Sequence, residues 1–214
     1  MIITKEKLII FDVGAILLET KMGCFKDLLV ILGKEKEVKA IDEEYQKRKK
    51  AGPWGMEQLA NLYKGFSEEE LKKVTEKYCQ KSLKEDVKEC FQSLKEKDYI
   101  LGVISGNPQF VIDWLIDNLP LDFAKGTELE FKNGIASGNL QTKVDRYVKV
   151  EILKEKIKEY QIDKKNVIIV GDSITSLPMV ELAGKFFAFL PKEDVVKEKA
   201  IQIIKDFQEL KNVL

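Results

Sequence analysis

Three apolar runs of this sequence each stop at residues that can do chemistry. The run KLIIFD ends at Asp12, YILGVISG ends at Ser105 and Gly106, and NVIIVGD ends at Asp172. A carboxylate that follows a buried strand can act as a nucleophile or bind a divalent cation, and a hydroxyl beside backbone N–H groups can bind an anion. Such chemistry requires that these three ends, which are far apart along the chain, meet in one place.

A parallel sheet brings such ends together. Each run is short, and each is followed, directly or after an interruption, by a pattern typical of a helix. This alternation predicts an α/β fold with a parallel sheet and crossover helices. In such sheets ligands bind beyond the carboxyl ends of the strands, so we expect Asp12, Ser105 and Asp172 to lie at the same edge.

A helical segment interrupts the alternation after the first run. Four helix-like stretches follow one another there without a convincing strand, and the last one opens with a capping box formed by Ser67 and Glu70. We therefore expect an all-helical insertion over residues 19–81 and an α/β core made of residues 1–18 and 82–214.

The second half of the sequence predicts additions to the sheet. The stretch FKNGIASGNL carries Asn-Gly and Ser-Gly pairs, which indicate a small hairpin near the sheet edge. The pieces KFFAFL and AIQII are typical of strands, and each precedes a further helical stretch.

Composition excludes several classes of function. Lys plus Arg and Asp plus Glu each number 36, so the net charge is zero, and nothing favours binding to nucleic acid or to an anionic membrane. The Lys-rich stretches YQKRKK and KEKIKEY therefore suggest solvated helix faces. No apolar run is long enough to span a bilayer. A chain of 214 residues suits one α/β domain with an insertion, or two small domains, and we expect a monomer or a homodimer.

Cysteine and histidine usage points to a reducing compartment. Cys24, Cys79 and Cys90 are an odd set without CxxC spacing, which counts against a disulfide framework and a zinc site, and the chain has no His. The beginning of the sequence lacks the order of residues typical of a secretory signal. We expect a cytoplasmic protein, and the abundance of Lys, Glu and Ile hints at a thermophile.

Four motifs, taken in order, resemble those of the haloacid dehalogenase (HAD) superfamily. IIFDVG resembles the first motif, VISGN the second, Lys149 in RYVKVEIL the third and VIIVGDSITSLPM the fourth. The helical insertion is similar to the cap of the phosphoserine-phosphatase-like branch, and the resemblance covers nearly the whole chain. It implies a doubly wound three-layer α/β core and a Mg²⁺-dependent phosphohydrolase that acts on a small phosphorylated metabolite through an aspartyl phosphate.

The resemblance also implies a role for individual residues. Asp12 would be the nucleophile, and Lys149 would offset the charge of the nucleophile and the phosphate. Ser105 would bind the phosphoryl oxygens together with the backbone N–H groups of Gly106 and Asn107, near a helix start that favours anions.

A magnesium site follows from the same resemblance. Asp12 and Asp172, with the backbone carbonyl at Gly14 and water molecules, would bind Mg²⁺, which proteins commonly hold with one or two carboxylates. The carbonyl needs no side chain, so a glycine at position 14 keeps this ligand.

Two positions depart from the family's pattern. Its phosphatases carry a general acid where this chain has Gly14, and a second fourth-motif Asp where it has Ser176. Loss of a general acid costs roughly 10²–10⁴ in rate, whereas acceleration of phosphate monoester hydrolysis can reach ~10²¹. We expect slower turnover, best with an activated leaving group, and a longer-lived aspartyl phosphate. Glu19 and Glu57 are the nearest candidates for a substitute acid.

Two residues of the insertion are candidates for substrate specificity. Lys21 falls where the branch carries an acid that reads a substrate ammonium, so we expect it to repel an amine and attract an anion. Trp54, between Pro53 and Gly55, lies either in a loop over the site or in the core of the insertion itself.

Two alternatives remain open at this point. Gly14 and Ser176 are also compatible with a catalytically impaired relative that binds a phosphorylated ligand or partner. The second is a HAD hydrolase of different bond specificity, since members that cleave C–halogen or C–P bonds lack the second acid. Asp172 and Lys149 favour a metal and an anion, which counts against dehalogenation.

Overall fold

The computed structural model describes residues 7–214. Seven strands form one sheet: β1 (Leu8–Phe11), β2 (Ile100–Pro108), β3 (Phe123–Lys132), β4 (Ile135–Thr142), β5 (Val167–Gly171), β6 (Lys185–Phe189) and β7 (Gln202–Ile204). Their order across the sheet is β4-β3-β2-β1-β5-β6-β7. Neighbouring strands pair in parallel except β3 and β4, which are antiparallel. The predicted parallel sheet is confirmed.

The strand order reverses direction at β1. From β1 the chain goes to β2 and β3 on one side, and it later fills the other side with β5, β6 and β7. A crevice opens beyond the carboxyl ends of the strands at such a reversal. Asp12 directly follows β1 and Asp172 directly follows β5, so the crevice lies between these two residues.

Helices cover the sheet on both faces. Those of the described chain are α1 (Cys24–Ile31), α2 (Glu35–Arg48), α3 (Met56–Leu62), α4 (Glu68–Ser82), α5 (Val87–Glu96), α6 (Gln109–Asn118), α7 (Val148–Tyr160), α8 (Leu177–Val180), α9 (Asp194–Lys199) and α10 (Phe207–Val213). A short 3₁₀ turn, Lys164–Asn166, precedes β5. Over residues 7–214 none of the helices is long and apolar enough to cross a membrane.

The alternation of side chains along β1 separates two apolar layers. Ile9 and Phe11 belong to the layer that includes α5, α6 and α10, and Leu8 and Ile10 belong to the layer that includes α7, α8 and α9. All four side chains are fully buried. This arrangement is the doubly wound three-layer α/β fold that the sequence predicted.

The helical segment between β1 and α5 contains α1 to α4, as the sequence predicted. Its two linkers run side by side, because Leu18 and Leu83 form an antiparallel bridge and the Glu19 N–H donates to the Ser82 carbonyl at 2.7 Å. This pairing supports the predicted boundaries at residues 18/19 and 81/82, which stay a prediction.

The helical segment also contacts the edge of the sheet. The Gly65 N–H donates to the Ala136 carbonyl at 3.0 Å, and the Ala136 N–H donates to the Phe66 carbonyl at 2.9 Å. The predicted N-cap of α4 is present, since the Ser67 hydroxyl accepts the Glu70 N–H at 3.1 Å. The segment is therefore attached both at its linkers and at β4.

The predicted hairpin is the β3–β4 pair at the sheet edge. Asn133 and Gly134 form its two-residue turn, and both have positive φ angles, 52° and 76°. Two successive residues of this kind give a turn whose twist matches that of the strands. The prediction from the Asn-Gly pair is confirmed.

Candidate active site

A cavity of about 420 Å³ lies at the carboxyl ends of the central strands, below the helical segment. All the site residues predicted from the sequence line it: Asp12, Gly14, Lys21, Trp54, Ser105, Gly106, Asn107, Lys149 and Asp172. The expected convergence of the three strand ends is therefore observed. The roles of these residues stay predictions.

The Asp12 carboxylate is buried and accepts hydrogen bonds on both oxygens. Oδ1 accepts the Ser105 hydroxyl at 2.8 Å and the Val13 N–H at 2.8 Å. Oδ2 forms an ion pair with the Lys149 ammonium and accepts the Ser176 hydroxyl at 3.4 Å. Four donors thus orient this carboxylate, and Asp12 is only 6% exposed to solvent.

The surroundings of Asp12 keep it ionised. Burial alone would raise the pKa of Asp12, but the charge and hydrogen bond of Lys149 lower it, with help from Val13 and Ser105, and the net direction is downward. An ionised carboxylate is the form that can attack an electrophile.

Lys149 lies in the first turn of α7, where its side chain is buried. The amino end of a helix disfavours a cation, so the helix itself does not stabilise the ammonium. Its position depends on Asp12. The preceding loop is fixed by Asp145, whose carboxylate accepts the N–H groups of Tyr147 and Val148 at 2.9 and 3.1 Å.

Ser105 lies inside β2 and not in a turn. β2 continues to Pro108 and α6 begins at Gln109, so Gly106 and Asn107 belong to the end of the strand and lie just before the helix start near which they were expected. The pairing of β2 with β3 shifts register after Ile104, which distorts this end of the strand. The Asn107 side-chain amide and N–H both donate to Ser105 Oγ, at 2.9 and 3.3 Å. Asn107 therefore orients the Ser105 hydroxyl.

Asp172 carries the negative charge that Lys149 does not neutralise. Burial and, next, the negative charge of Asp12 raise the pKa of Asp172 to about 7, since Lys149 opposes both only in part. Two carboxylates that repel each other beside one cavity fit a divalent cation. Within residues 7–214 no group of three or more acidic or Cys side chains is arranged for a metal. A cation here would rely on Asp12, Asp172 and a backbone oxygen.

Gly14 has neither of the usual structural reasons to be glycine. Its φ angle is outside the left-handed region, and an added Cβ would meet Thr20 Oγ1 at 3.5 Å and Asn107 Nδ2 at 3.9 Å, which are ordinary contacts. In contrast, a Cβ at Gly106 would lie 2.8 Å from the Met56 methyl group. Position 14 therefore has room for a side chain.

Ser176 replaces the second fourth-motif acid and packs tightly. It is fully buried, and a Cβ on Gly171 would approach its Oγ to 2.5 Å. The neutral Ser176 hydroxyl thus leaves Asp12 as the carboxylate that pairs with Lys149.

The substitute acids considered from the sequence lie elsewhere. Glu57 pairs with Lys143 at 2.8 Å and does not line the cavity. Glu19 lines a separate depression that also contains Lys84. Neither occupies the space beside Gly14.

Trp54 is half-buried in the loop between α2 and α3, with the Arg48 guanidinium 5.3 Å from its ring centre. It lines the cavity, in agreement with the prediction of a loop over the site.

Lys21 is exposed, and its N–H donates to the buried Asp27 carboxylate at 2.9 Å. The Tyr78 hydroxyl of α4 donates to the same carboxylate, so Asp27 and Tyr78 hold the loop that carries Lys21 in place.

The sequence reasoning missed Lys49, Arg146 and Glu193, which also line the cavity. Lys49 belongs to the Lys-rich stretch interpreted as a solvated helix face, but its side chain is 24% exposed and pairs with Glu193 at 2.9 Å. Glu193 lies four residues after the end of β6, whereas Asp12 and Asp172 directly follow their strands, so the rule that located those two does not extend to it.

Comparisons with known proteins agree with the fold and the motifs. The model of the haloacid dehalogenase-like hydrolase family matches residues 14–181, a range that begins just after Asp12. The phosphoserine phosphatase of Archaeoglobus fulgidus is 32% identical over 92% of the chain, which spans 56% of that protein's length. The phosphoserine phosphatase of Methanocaldococcus jannaschii is 28% identical over 98% of the chain and 97% of its own length.

Solved structures give the same result. A crystal structure of phosphoserine phosphatase in its apo form is 25% identical, covers 98% of the chain and 99% of its own, and superposes with a TM-score of 0.83. A phospho-aspartyl intermediate analogue of phosphoserine phosphatase is 26% identical with the same coverage and a TM-score of 0.84. The family match spans most of the chain and its motifs converge on one cavity, and the chain therefore belongs to the haloacid dehalogenase-like hydrolase family.

Proposed function

We propose that this protein is a Mg²⁺-dependent phosphohydrolase that forms an aspartyl phosphate on Asp12. The observation that carries the proposal is the buried Asp12 carboxylate, which Lys149 and Ser105 orient beside Asp172 in one cavity. The relatives named phosphoserine phosphatase support hydrolysis of a small phosphate ester.

The residues present suggest how phosphoryl transfer proceeds. A carboxylate oxygen of Asp12 attacks phosphorus, the bond to the leaving oxygen breaks, and an acyl phosphate forms. Ser105 and Lys149 donate to Asp12 in the substrate-free protein. A phosphoryl oxygen would take over these donors as the Asp12 carboxylate becomes the acyl group of a mixed anhydride. Water then hydrolyses the acyl phosphate and restores the carboxylate.

The mutual repulsion of Asp12 and Asp172 supports a cation site. These two carboxylates and the Gly14 carbonyl would hold Mg²⁺, which supplies positive charge against the phosphoryl oxygens. The raised pKa of Asp172 implies that cation binding displaces a proton near neutral pH.

A catalytically impaired relative is the second candidate, and Gly14 favours it. The space beside Gly14 is bounded by the Thr20 hydroxyl and the Asn107 amide, neither of which is an acid. Without a proton donor, an alkoxide leaves slowly, and without a base the aspartyl phosphate persists. Aryl and acyl phosphates, whose leaving groups need no proton, are the substrates that such a site would turn over best.

The charge of Lys21 restricts the substrate. It is an exposed ammonium at the cavity wall, and like charges disfavour each other across a cavity. We propose a phosphate ester with an anionic or neutral substituent, and not one with an ammonium such as phosphoserine.

The nucleophile is tested with Asp12→Asn. We expect the wild type to release phosphate from 4-nitrophenyl phosphate and acetyl phosphate with Mg²⁺ and not with EDTA, and the variant to lose about 10³-fold or more in kcat. Beryllium trifluoride should block the wild type by occupying Asp12. The proposal is rejected if wild type and Asp12→Asn release phosphate equally, or if neither of the two phosphate compounds is hydrolysed.

Gly14→Asp separates an active enzyme from an impaired one. The added carboxyl fits and supplies a proton donor and base, so we expect turnover of alkyl phosphates to rise by about 10²–10⁴ and the aspartyl phosphate to decay faster. Single-turnover kinetics measure both. Gly14→Asn is the control of equal shape without an acid, and an equal gain in both variants would contradict the explanation.

Asp172→Asn should stabilise the metal-free protein. Because the pKa of Asp172 is raised in the folded state, the protonated side chain favours the folded protein. This contribution to stability is lost as pH rises from about 4 through about 7 and the side chain ionises. Denaturation in EDTA should show a variant that is more stable than the wild type at both pH values, and its advantage at pH 8 should exceed that at pH 5 by on the order of 1–3 kcal/mol.

Two controls accompany this measurement. Mg²⁺ should stabilise the wild type at pH 8 and not Asp172→Asn. Asp117→Asn, an exposed acid on α6, should behave like the wild type at every pH. A constant difference between pH 5 and pH 8 would show that the substitution acts through packing and not through charge.

Lys21→Glu should change substrate choice. Phosphoserine carries an ammonium where 3-phosphoglycerate carries a hydroxyl. The ratio of the kcat/KM values for the two substrates therefore isolates the effect of that charge. We expect the wild type to prefer 3-phosphoglycerate and the variant to shift the ratio toward phosphoserine by about tenfold or more. Lys192→Glu, another exposed lysine of the cavity wall, is the control; an equal shift there would exclude a specific role for Lys21.

A further inference from the structure

One carboxylate connects the helical segment to the loop that carries Asp172. Glu193 Oε1 pairs with the Lys49 ammonium at 2.9 Å, and Glu193 Oε2 accepts the Ile174 N–H at 3.1 Å. Lys49 directly follows α2 as its C-cap, whereas Ile174 lies between Asp172 and Ser176. We call Lys49, Glu193 and Ile174 the Glu193 bridge.

The same part of the helical segment touches a second catalytic loop. The Arg146 guanidinium donates to the Lys49 carbonyl and, at 3.4 Å, to the Gly52 carbonyl. Arg146 lies three residues before Lys149. The end of α2 therefore contacts the loops on both sides of the Asp12 carboxylate.

The chain bends sharply to bring Glu193 to this place. Leu190, which follows β6, has a φ angle of 44°, a region that a leucine rarely adopts. Its N–H donates to the Ile204 carbonyl at 2.9 Å, which holds the bend. Strain of this kind persists only where surrounding contacts fix it, and it is frequent at functional sites.

Glu193 is ionised in this setting. Burial opposes the charge, but the Lys49 ammonium and the Ile174 N–H outweigh burial and lower the pKa of Glu193. Both carboxylate oxygens have one partner each, so neither bond needs to break for the other to form.

We propose that Glu193 is a positioning residue, which fixes the Asp172–Ser176 loop through the Ile174 N–H and couples that loop to closure of the helical segment through Lys49. The catalytic meaning of the coupling rests on the proposed phosphohydrolase function. When the helical segment moves away, Glu193 loses its cation, and the loop loses part of its support. Substrate enclosure and an ordered loop would then occur together.

Three variants separate the two bonds of the Glu193 bridge. Lys49→Met removes the ion pair alone. Glu193→Gln also removes the ion pair but keeps an oxygen that can accept the Ile174 N–H. Glu193→Leu removes both. Lys50→Met and Asp194→Asn, the exposed neighbours of Lys49 and Glu193, are the matched controls.

Closure is measured with Trp54, which lies in the loop that follows Lys49. The chain has two tryptophans, so Trp114→Phe leaves Trp54 as the single fluorophore. We expect acrylamide to quench Trp54 more strongly in Lys49→Met, Glu193→Gln and Glu193→Leu than in the parent or the two controls. Equal quenching in all of them would overturn the proposal.

Loop order is measured by hydrogen exchange of residues 172–176. The Ile174 amide should exchange measurably faster in Lys49→Met and Glu193→Gln than in the parent, because the ion pair supports the loop, and at least tenfold faster in Glu193→Leu. In steady-state assays the first two variants should mainly raise KM, whereas Glu193→Leu should also lower kcat about tenfold. The double variant Lys49→Met/Glu193→Gln should be no worse than either single one.

The outcomes distinguish the bridge from the proposed function. If the parent hydrolyses no phosphate ester, the proposed function fails, and quenching and exchange still decide the bridge. If Glu193→Leu behaves like Glu193→Gln in exchange and kcat, Glu193 does not position the loop and the proposal is wrong.

Discussion

The arrangement of this molecule depends on one buried ion pair, between Asp12 and Lys149. Removal of either charge from water costs several kcal/mol, and only mutual attraction and further hydrogen bonds offset that cost. Loss of one partner would leave an uncompensated charge, which typically costs about 3–5 kcal/mol. The start of α7 must therefore dock where its first turn reaches the end of β1. The hydroxyls of Ser105 and Ser176 and the Val13 N–H complete the set of donors, so chemistry and packing share the same contacts.

The order of the strands converts this pair into a site. Because β1 lies between β2 and β5, the residues that follow these strands share one edge of the sheet. The edge holds more negative than positive charge at its centre, since one ammonium faces two carboxylates. The folded protein thus carries a local electrostatic penalty that a cation would relieve. Functional sites commonly keep such unfavourable features because the rest of the fold is stable enough to tolerate them.

The sequence predicted the fold and the residues around Asp12 at the centre of the cavity because both follow from local patterns. Short apolar runs mark buried strands, and Asn133-Gly134 marks a tight turn wherever it occurs. The extension of β2 through Pro108 was missed because Asn and Pro ordinarily indicate a loop. Glu193 was missed because its place depends on a left-handed Leu190, a conformation for which leucine has no intrinsic preference. Contacts set by an unfavourable backbone conformation cannot be read from propensity.

The pairing of Leu18 with Leu83 has a consequence for how such proteins diversify. The helical segment leaves the core and returns to it at the same point, with its two ends already hydrogen-bonded to each other. The entropic cost of closing a loop rises only slowly with loop length, so the length of the segment is weakly constrained. A different set of helices whose ends are adjacent can therefore replace this segment without a change in the position of β1 or α5. Selectivity can then be exchanged as a module by recombination, while the machinery beneath it is inherited unchanged.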